Sequence, residues 1–284
     1  MSCPDLIVEG DRCGDVSLAT SPFVSNRYHF GMLLGVADLD AEQAYHRGKA
    51  WLHNAWLHGA GVVWGLRVRV DPEHRELVVE PGLAIDASGR ELYVAETMCV
   101  DISEWYDQRR PDDLEVEERA DGSIAFTVHV ELCHDSCLDR PVPSIAQSCE
   151  GADRDTAYSR SVERGLPRVV GGAAPEPAAP DYPRLRQFFG QLPVEDELVT
   201  TALDDVAAAA EAERPATRLL WLRRLAAEDT MELGPVEEPD DCVLLAQVRM
   251  HLDSDGSVVA DDATAVDNWV RASHVRTRTI QELL

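Results

Sequence analysis

Lysine is almost missing from this chain: of its 26 basic side chains, all but Lys49 are arginine. Basic residues of either kind are outnumbered by 52 acidic ones, leaving a formal charge of −26 over 284 residues. That deficit speaks against nucleic acid and anionic membrane surfaces as partners, because both are gripped through basic patches. Long apolar runs are also missing, and none approaches the roughly 18 residues that a membrane-spanning helix needs. The start, Met1-Ser2-Cys3-Pro4-Asp5, has neither the basic end nor the apolar stretch of a secretion signal, so a cytoplasmic chain is expected. Cysteine is sparse and odd in number, at positions 3, 13, 99, 133, 137, 149 and 242. Such usage predicts free or metal-bound thiols in place of a disulfide framework.

What remains is ordinary globular material, 45% hydrophobic and 27% charged, too apolar for a disordered chain. The pattern predicts an α+β fold: a β-rich antiparallel body, barrel or sandwich, with one N-terminal amphipathic helix and an inserted helical pair. Residues 1–24 read as a leader. A helix capped by Asp38 or Asp40 runs on to Gly59 and Gly61, with Ala41, Tyr45, Gly48, Leu52 and Ala55 along one side. The period then changes to two over Val62–Val70, and short strands with Pro, Gly and Asp turns continue to Val94. A second clear alternation covers Ile124–Cys133. From His134 to Pro193 it fails, so the β-rich body is drawn over 25–170 and a Pro/Ala/Gly-rich linker over 171–193. Residues 194–230 predict two helices, Glu195–Ala212 and Ala216–Glu228. Residues 242–284 predict strands and a short terminal helix that complete the body.

Several residue groups invite chemistry. Gly59, Gly61 and Gly65 follow a helix and lead into a strand, the reverse of the order a dinucleotide loop requires. Glu42, His46 and His53 share a helix side, but the two histidines are about 10 Å apart along the axis; a solvated or interface-facing surface is the simpler reading. Cys133, His134, Cys137 and Cys149 are the closest group of soft ligands, placed where a strand gives way to a loop, and could close a tetrahedral zinc site. No nucleophile elbow and no cysteine-protease signature is present, and no enzyme is expected. Trp51, Trp56 and Tyr45 on the first helix are candidate interface anchors.

The run Tyr28-His29-Phe30-Gly31-Met32-Leu33-Leu34, followed by Asp38-Leu39, Glu42-Gln43 and Leu52-His53-Asn54, resembles a family of uncharacterised proteins associated with phage-tail-like contractile injection systems. Leu57-His58-Gly59-Ala60-Gly61-Val62-Val63-Trp64-Gly65-Leu66 continues the resemblance, as do Val79-Glu80-Pro81-Gly82-Leu83-Ala84-Ile85-Asp86, Gly89-Arg90-Glu91-Leu92 and Leu245-Ala246-Gln247-Val248. It covers about 25–100 well, 130–170 loosely and 242–284 weakly; the helical segment has no counterpart. The resemblance implies a non-enzymatic structural or adaptor subunit near a baseplate or fibre, oligomeric and partnered by other subunits, with no cofactor and no catalytic residues to carry over. The alternative is a stand-alone module binding a metal or a carbohydrate through the Cys133–Cys149 loop.

Overall fold

A computed structural model describes residues 21–109, 112, 114–143, 156–176, 182–229, 242–259 and 264–275. The chain divides into two compact units, Met1–Ala174 with Glu237–Leu284, and Pro175–Val236. The fold is α+β with a β-rich antiparallel body, as the alternation predicts.

The larger unit begins with α1 (Val36–His53), which widens into a π turn (Asn54–His58) and stops at Gly59, whose φ is +73°. Neither Asp38 nor Asp40 caps it. Gly35 is the cap, and Asp38, in the first turn, accepts the Gly35 N–H at 2.8 Å. A carboxylate suits that place because it meets the positive end of the helix dipole. Of the 18 residues of α1 only Ala44 and Gly48 are buried. At Gly48 the chain crosses itself so closely that a Cβ would lie 2.9 Å from Pro22.

Six short strands follow: β1 (Gly61–Gly65), β2 (Val68–Asp71), β3 (Glu76–Val79), β4 (Gly82–Ile85), β5 (Glu91–Val94) and β6 (Met98–Asp101). They pair antiparallel as β1-β4-β5 and β2-β3-β6, which is one three-stranded meander folded across its middle. The expected single strand Val62–Val70 is therefore two, broken where Gly65 and Leu66 adopt φ of +67° and +54°. Pairing persists through the corner, with Leu66 N–H donating to Pro81 O at 3.2 Å and Glu80 N–H to Arg67 O at 3.0 Å. The backbones cross in contact there. A Cβ on Gly65 would sit 2.1 Å from Pro81 O, and one on Gly82 would sit 2.5 Å from Leu66 N. The glycines of the Val-Trp-Gly-Leu and Glu-Pro-Gly-Leu motifs thus make a corner possible.

The third sheet comprises β7 (Val116–Glu118), β8 (Ile124–Pro143), β9 (Thr156–Gly171), β10 (Val243–Leu252) and β11 (Ala265–Asp267), in the order β11-β10-β8-β7 with β9 also on β8. β7 pairs with β8 at Ile124–Phe126, and β9 takes over along the same strand from Val128. Leu77, Leu92 and Val79 of the meander share a core with Val128, Leu132, Val248 and Met250 of this sheet. Helix α2 (Ile102–Arg109) closes it with buried Trp105, which stacks on Phe126.

One expectation is corrected. The stretch from His134 holds the outer half of β8 and all of β9. Past Cys133 only β9 accompanies β8, and from Leu138 outward most side chains of this ribbon are exposed. A ribbon wet on both faces leaves no apolar alternation to read. Residues 268–275 are non-helical, and the rest of the expected terminal helix, 276–284, lies outside the described residues. Asn268 accepts from Val68 N–H and donates to Val68 O at 2.9 and 3.0 Å, and further on Val62 N–H donates to Ala272 O and His274 N–H to Val62 O. This segment covers the free edge of β1 and β2, which would otherwise offer unpaired backbone groups.

The smaller unit holds α3 (Pro183–Phe188), α4 (Glu197–Ala208) and α5 (Arg214–Glu228). The expected pair is present, α4 shorter than expected at both ends and α5 starting two residues earlier, and α3 falls in the stretch read as linker. Pro215 lies in the first turn of α5, where its missing N–H costs nothing. Phe188, Val199, Ala202, Val206, Trp221 and Leu225 form this unit's own core. Asp196 caps α4 through Leu198 N–H at 2.7 Å and pairs with Arg184 at 2.8 Å.

The corner makes a direct prediction. Gly172 has φ of +95° and open space around it, so Gly172→Ala should cost only the left-handed penalty of about 1–2 kcal/mol. Gly65→Ala adds a backbone collision and should cost at least twice as much in urea unfolding. Equal losses would contradict the corner.

Candidate functional site

The end of α1, the β4–β5 turn and the base of the β8–β9 ribbon meet around Asp86, Gly89 and Trp51. Asp86 is fully buried and closes the turn: its Oδ1 accepts Arg90 N–H at 2.8 Å and its other oxygen accepts the Arg90 guanidinium. Burial pushes the Asp86 carboxyl up from its usual range, and Arg90 acts in the opposite direction. Gly89, at φ +85°, lies against α1 so closely that a Cβ would be 2.0 Å from Trp51 O. Asn54 Nδ2 then donates to Gly89 O at 3.0 Å and to Glu91 at 3.1 Å.

The ribbon joins the same cluster. The Trp51 ring meets His134 edge-on at 6.4 Å, and His134 Nε2 lies 3.5 Å from Glu163. His134 is the main reason the Glu163 carboxyl sits below its usual range, with Arg47 and Arg90 adding to the effect. Next along β8, buried Asp135 receives Arg164 at 2.8 Å. These charged groups are committed to each other, so the cluster works as a clasp that fixes the helix and the ribbon to the meander.

The zinc-ligand set of Cys133, His134, Cys137 and Cys149 is not assembled. Cys133 is joined to Cys242 in a disulfide, 109 residues away in sequence, with Cα atoms 4.3 Å apart. That spacing fits directly opposed residues of an antiparallel pair. Cys137 and Cys99 are disulfide-bonded as well, and Cys149, like Cys3 and Cys13, lies outside the described residues. Sequence reasoning took this stretch for a loop; on a strand, His134 points to the opposite face from Cys133 and Cys137. For the described cysteines the expectation of free or metal-bound thiols is corrected accordingly.

Beside the disulfide lies a charged row that sequence reasoning missed. Glu131 faces His129 at 3.3 Å and Arg168 at 2.8 Å, and Arg168 reaches Cys242 Sγ at 3.8 Å. Glu131 could join the two sulfurs around an ion by distance alone. The sulfurs are bonded to each other, however, and the guanidinium already supplies the positive charge. The signal for this row was the alternation of β8, which puts residues 129, 131 and 133 on one face.

The three aromatic candidates are divided. Trp51 belongs to the clasp. Tyr45 is half-buried under the Lys49 ammonium, which also covers Phe23 at 4.9 Å. Trp56, on the π turn, is 41% exposed. The histidines and Glu42 of α1 make only a local pair, His46 with Glu42 at 3.2 Å, and His53 rests against His58.

Exposed apolar side chains are concentrated before α1 and in its first turns. Phe23, Val24, Tyr28, Phe30, Leu33, Leu34, Val36 and Leu39 are all more than half exposed, and Phe30 and Leu33 stand almost wholly in solvent. On the outer face of the first sheet, Trp64, Leu83 and Tyr93 are opposite one another across β1, β4 and β5, with both aromatic rings about half exposed. Charge follows the same division. Residues 16–70 contain three acidic side chains, Asp38, Asp40 and Glu42, out of the chain's 52, and Gln43–Val70 contain none. No described helix is long and apolar enough to cross a membrane.

Two predictions follow from the sulfur and charge pairs. Replacing both Cys133 and Cys242 by Ala should cost about 2–5 kcal/mol, because the bond closes a long loop in the unfolded chain; an unchanged urea midpoint would refute the pairing. His129 is raised above its usual 6.5, chiefly by its bond to Glu131, so its contribution is complete below pH 6.5 and is lost as pH rises through the folded value. Glu131 is lowered from 4.5, chiefly by His129, so its contribution is present above pH 4.5 and is lost as pH falls through the folded value. The pair therefore supports the fold best between those limits. His129→Gln should flatten the stability loss from pH 6 to 8, and an unaltered profile would show that the pair is silent.

Compared with known proteins, the chain matches no protein-family model and no curated protein.

Proposed function

We propose that the protein is a non-enzymatic structural or adaptor subunit of a phage-tail-like contractile injection particle, placed at its baseplate or fibres. One observation carries the reading. The segment 23–39 holds eight large apolar side chains in solvent on a chain that has a well-filled core of its own. Large apolar side chains left in solvent and concentrated in one segment are the material of a docking surface. The dearth of acidic groups over residues 16–70 removes the repulsion that a chain of net charge −26 presents elsewhere to acidic neighbours.

The clasp supports the same reading. It holds α1 and the ribbon on a common base, and both present exposed surfaces away from the body. The residues that resemble the injection-system family include the corner glycines Gly65 and Gly82 and the turn residues Asp86, Gly89 and Arg90, so part of the resemblance concerns how the body is shaped. The partners in this reading are other particle subunits and further copies of the chain.

The test is particle association. In lysates of the native source, the protein should co-sediment with sheath and tube proteins through a density gradient. Phe30→Ser with Leu33→Ser should move it to the soluble fraction while leaving its thermal midpoint within about 1 °C, since both side chains touch little. A monomeric protein that never enters purified particles would refute the proposal.

A further inference from the structure

The smaller unit carries a surface that the body does not explain. Helix α5 bears Arg214, Arg218, Arg223 and Arg224 against a single acid, Glu228, within a chain that has twice as many acidic as basic residues. None of the four arginines makes an ion pair among the described residues. Arg214 donates only to Ala209 O, at 3.2 Å, and Arg224 lies over the Trp221 ring. Four arginines on one helix make a local concentration of positive charge in a chain so rich in carboxylates.

The apolar side chains of α5 are distributed in a way that adds to this. Trp221 and Leu225 fill the unit's core, which satisfies one side of the helix. Leu219 and Leu220 nevertheless point out, 47% and 66% exposed, and Phe189 after α3 is 59% exposed. Leu219, Leu222, Phe189 and Val206 line a groove of about 600 Å³, with Arg214 and Arg218 among its walls. That size lies within the range of ordinary binding clefts. An apolar floor with guanidinium groups beside it is the complement of a peptide that alternates large apolar residues with carboxylates.

We infer that this groove is a docking site for an acidic amphipathic segment of a partner protein, with its apolar residues on Leu219 and Leu222 and its carboxylates on Arg214 and Arg218. A lipid surface fits less well, because an apolar concavity gives a planar bilayer little to bury. The inference does not depend on the particle assignment, since it uses only the unit Pro175–Val236.

The test uses the full chain and a synthetic 14-residue helical peptide with Leu at positions i, i+4, i+7 and i+11 and Glu at the outer positions. Fluorescence anisotropy should show saturable binding that weakens at least tenfold with Arg214→Glu and Arg218→Glu together. A Leu219→Asp variant should lose binding to a similar extent, and circular dichroism of each variant should match the parent. A matched peptide with Lys in place of Glu should bind at least tenfold more weakly. Binding of both peptides alike, no binding of either, or stronger attachment to phosphatidylglycerol vesicles than to the acidic peptide would each overturn the inference. So would a shift of the parent to dimers through this face, seen as peptide competition only against self-association.

Discussion

The body depends on backbones that touch. At the corner of the meander, Gly65 lies against Pro81 and Gly82 against Trp64 and Leu66; at the clasp, Gly89 lies against Trp51 of the helix. Each contact is too close for any side chain, so each fixes the angle between two elements without packing material between them. The corner turns three strands back over the third sheet and encloses the core. The second contact sets where α1 leaves that body, and hence where the exposed segment before it stands.

Charge is used in two ways on this scaffold. Buried pairs, Asp86 with Arg90 and Glu131 with His129 and Arg168, lock the turn and the base of the ribbon. Breaking one partner of such a pair leaves an uncompensated charge, which is why they specify geometry even where their net stabilisation is small. On the outside the distribution is uneven: acid-poor over residues 16–70, arginine-bearing on α5, and acidic elsewhere.

Much of this was legible in the sequence. The alternations at Val62–Val70 and Ile124–Cys133 gave strands because one face of each is buried, and the Leu-rich stretch gave α5 because Trp221 and Leu225 face a core. The ribbon of β8 and β9 escaped because both its faces meet solvent. The disulfide escaped because Cys133 and Cys242 become neighbours only through the register of two strands separated by the inserted unit. The cap of α1 was misplaced because Asp38 serves equally well three residues inside the helix as at its start. The glycines read as stops and turns in the sequence, and only the structure could show that Gly65, Gly82 and Gly89 let backbones touch.

The central claim is that the protein works through its outer surfaces. Hydroxyl-radical footprinting of Phe30, Leu33, Trp64 and Tyr93, in the purified chain and in particles from the native source, tests it most directly. The account predicts strong labelling of all four in the free chain and protection of Phe30 and Leu33 on assembly. Equal labelling of these two residues in both states would contradict it.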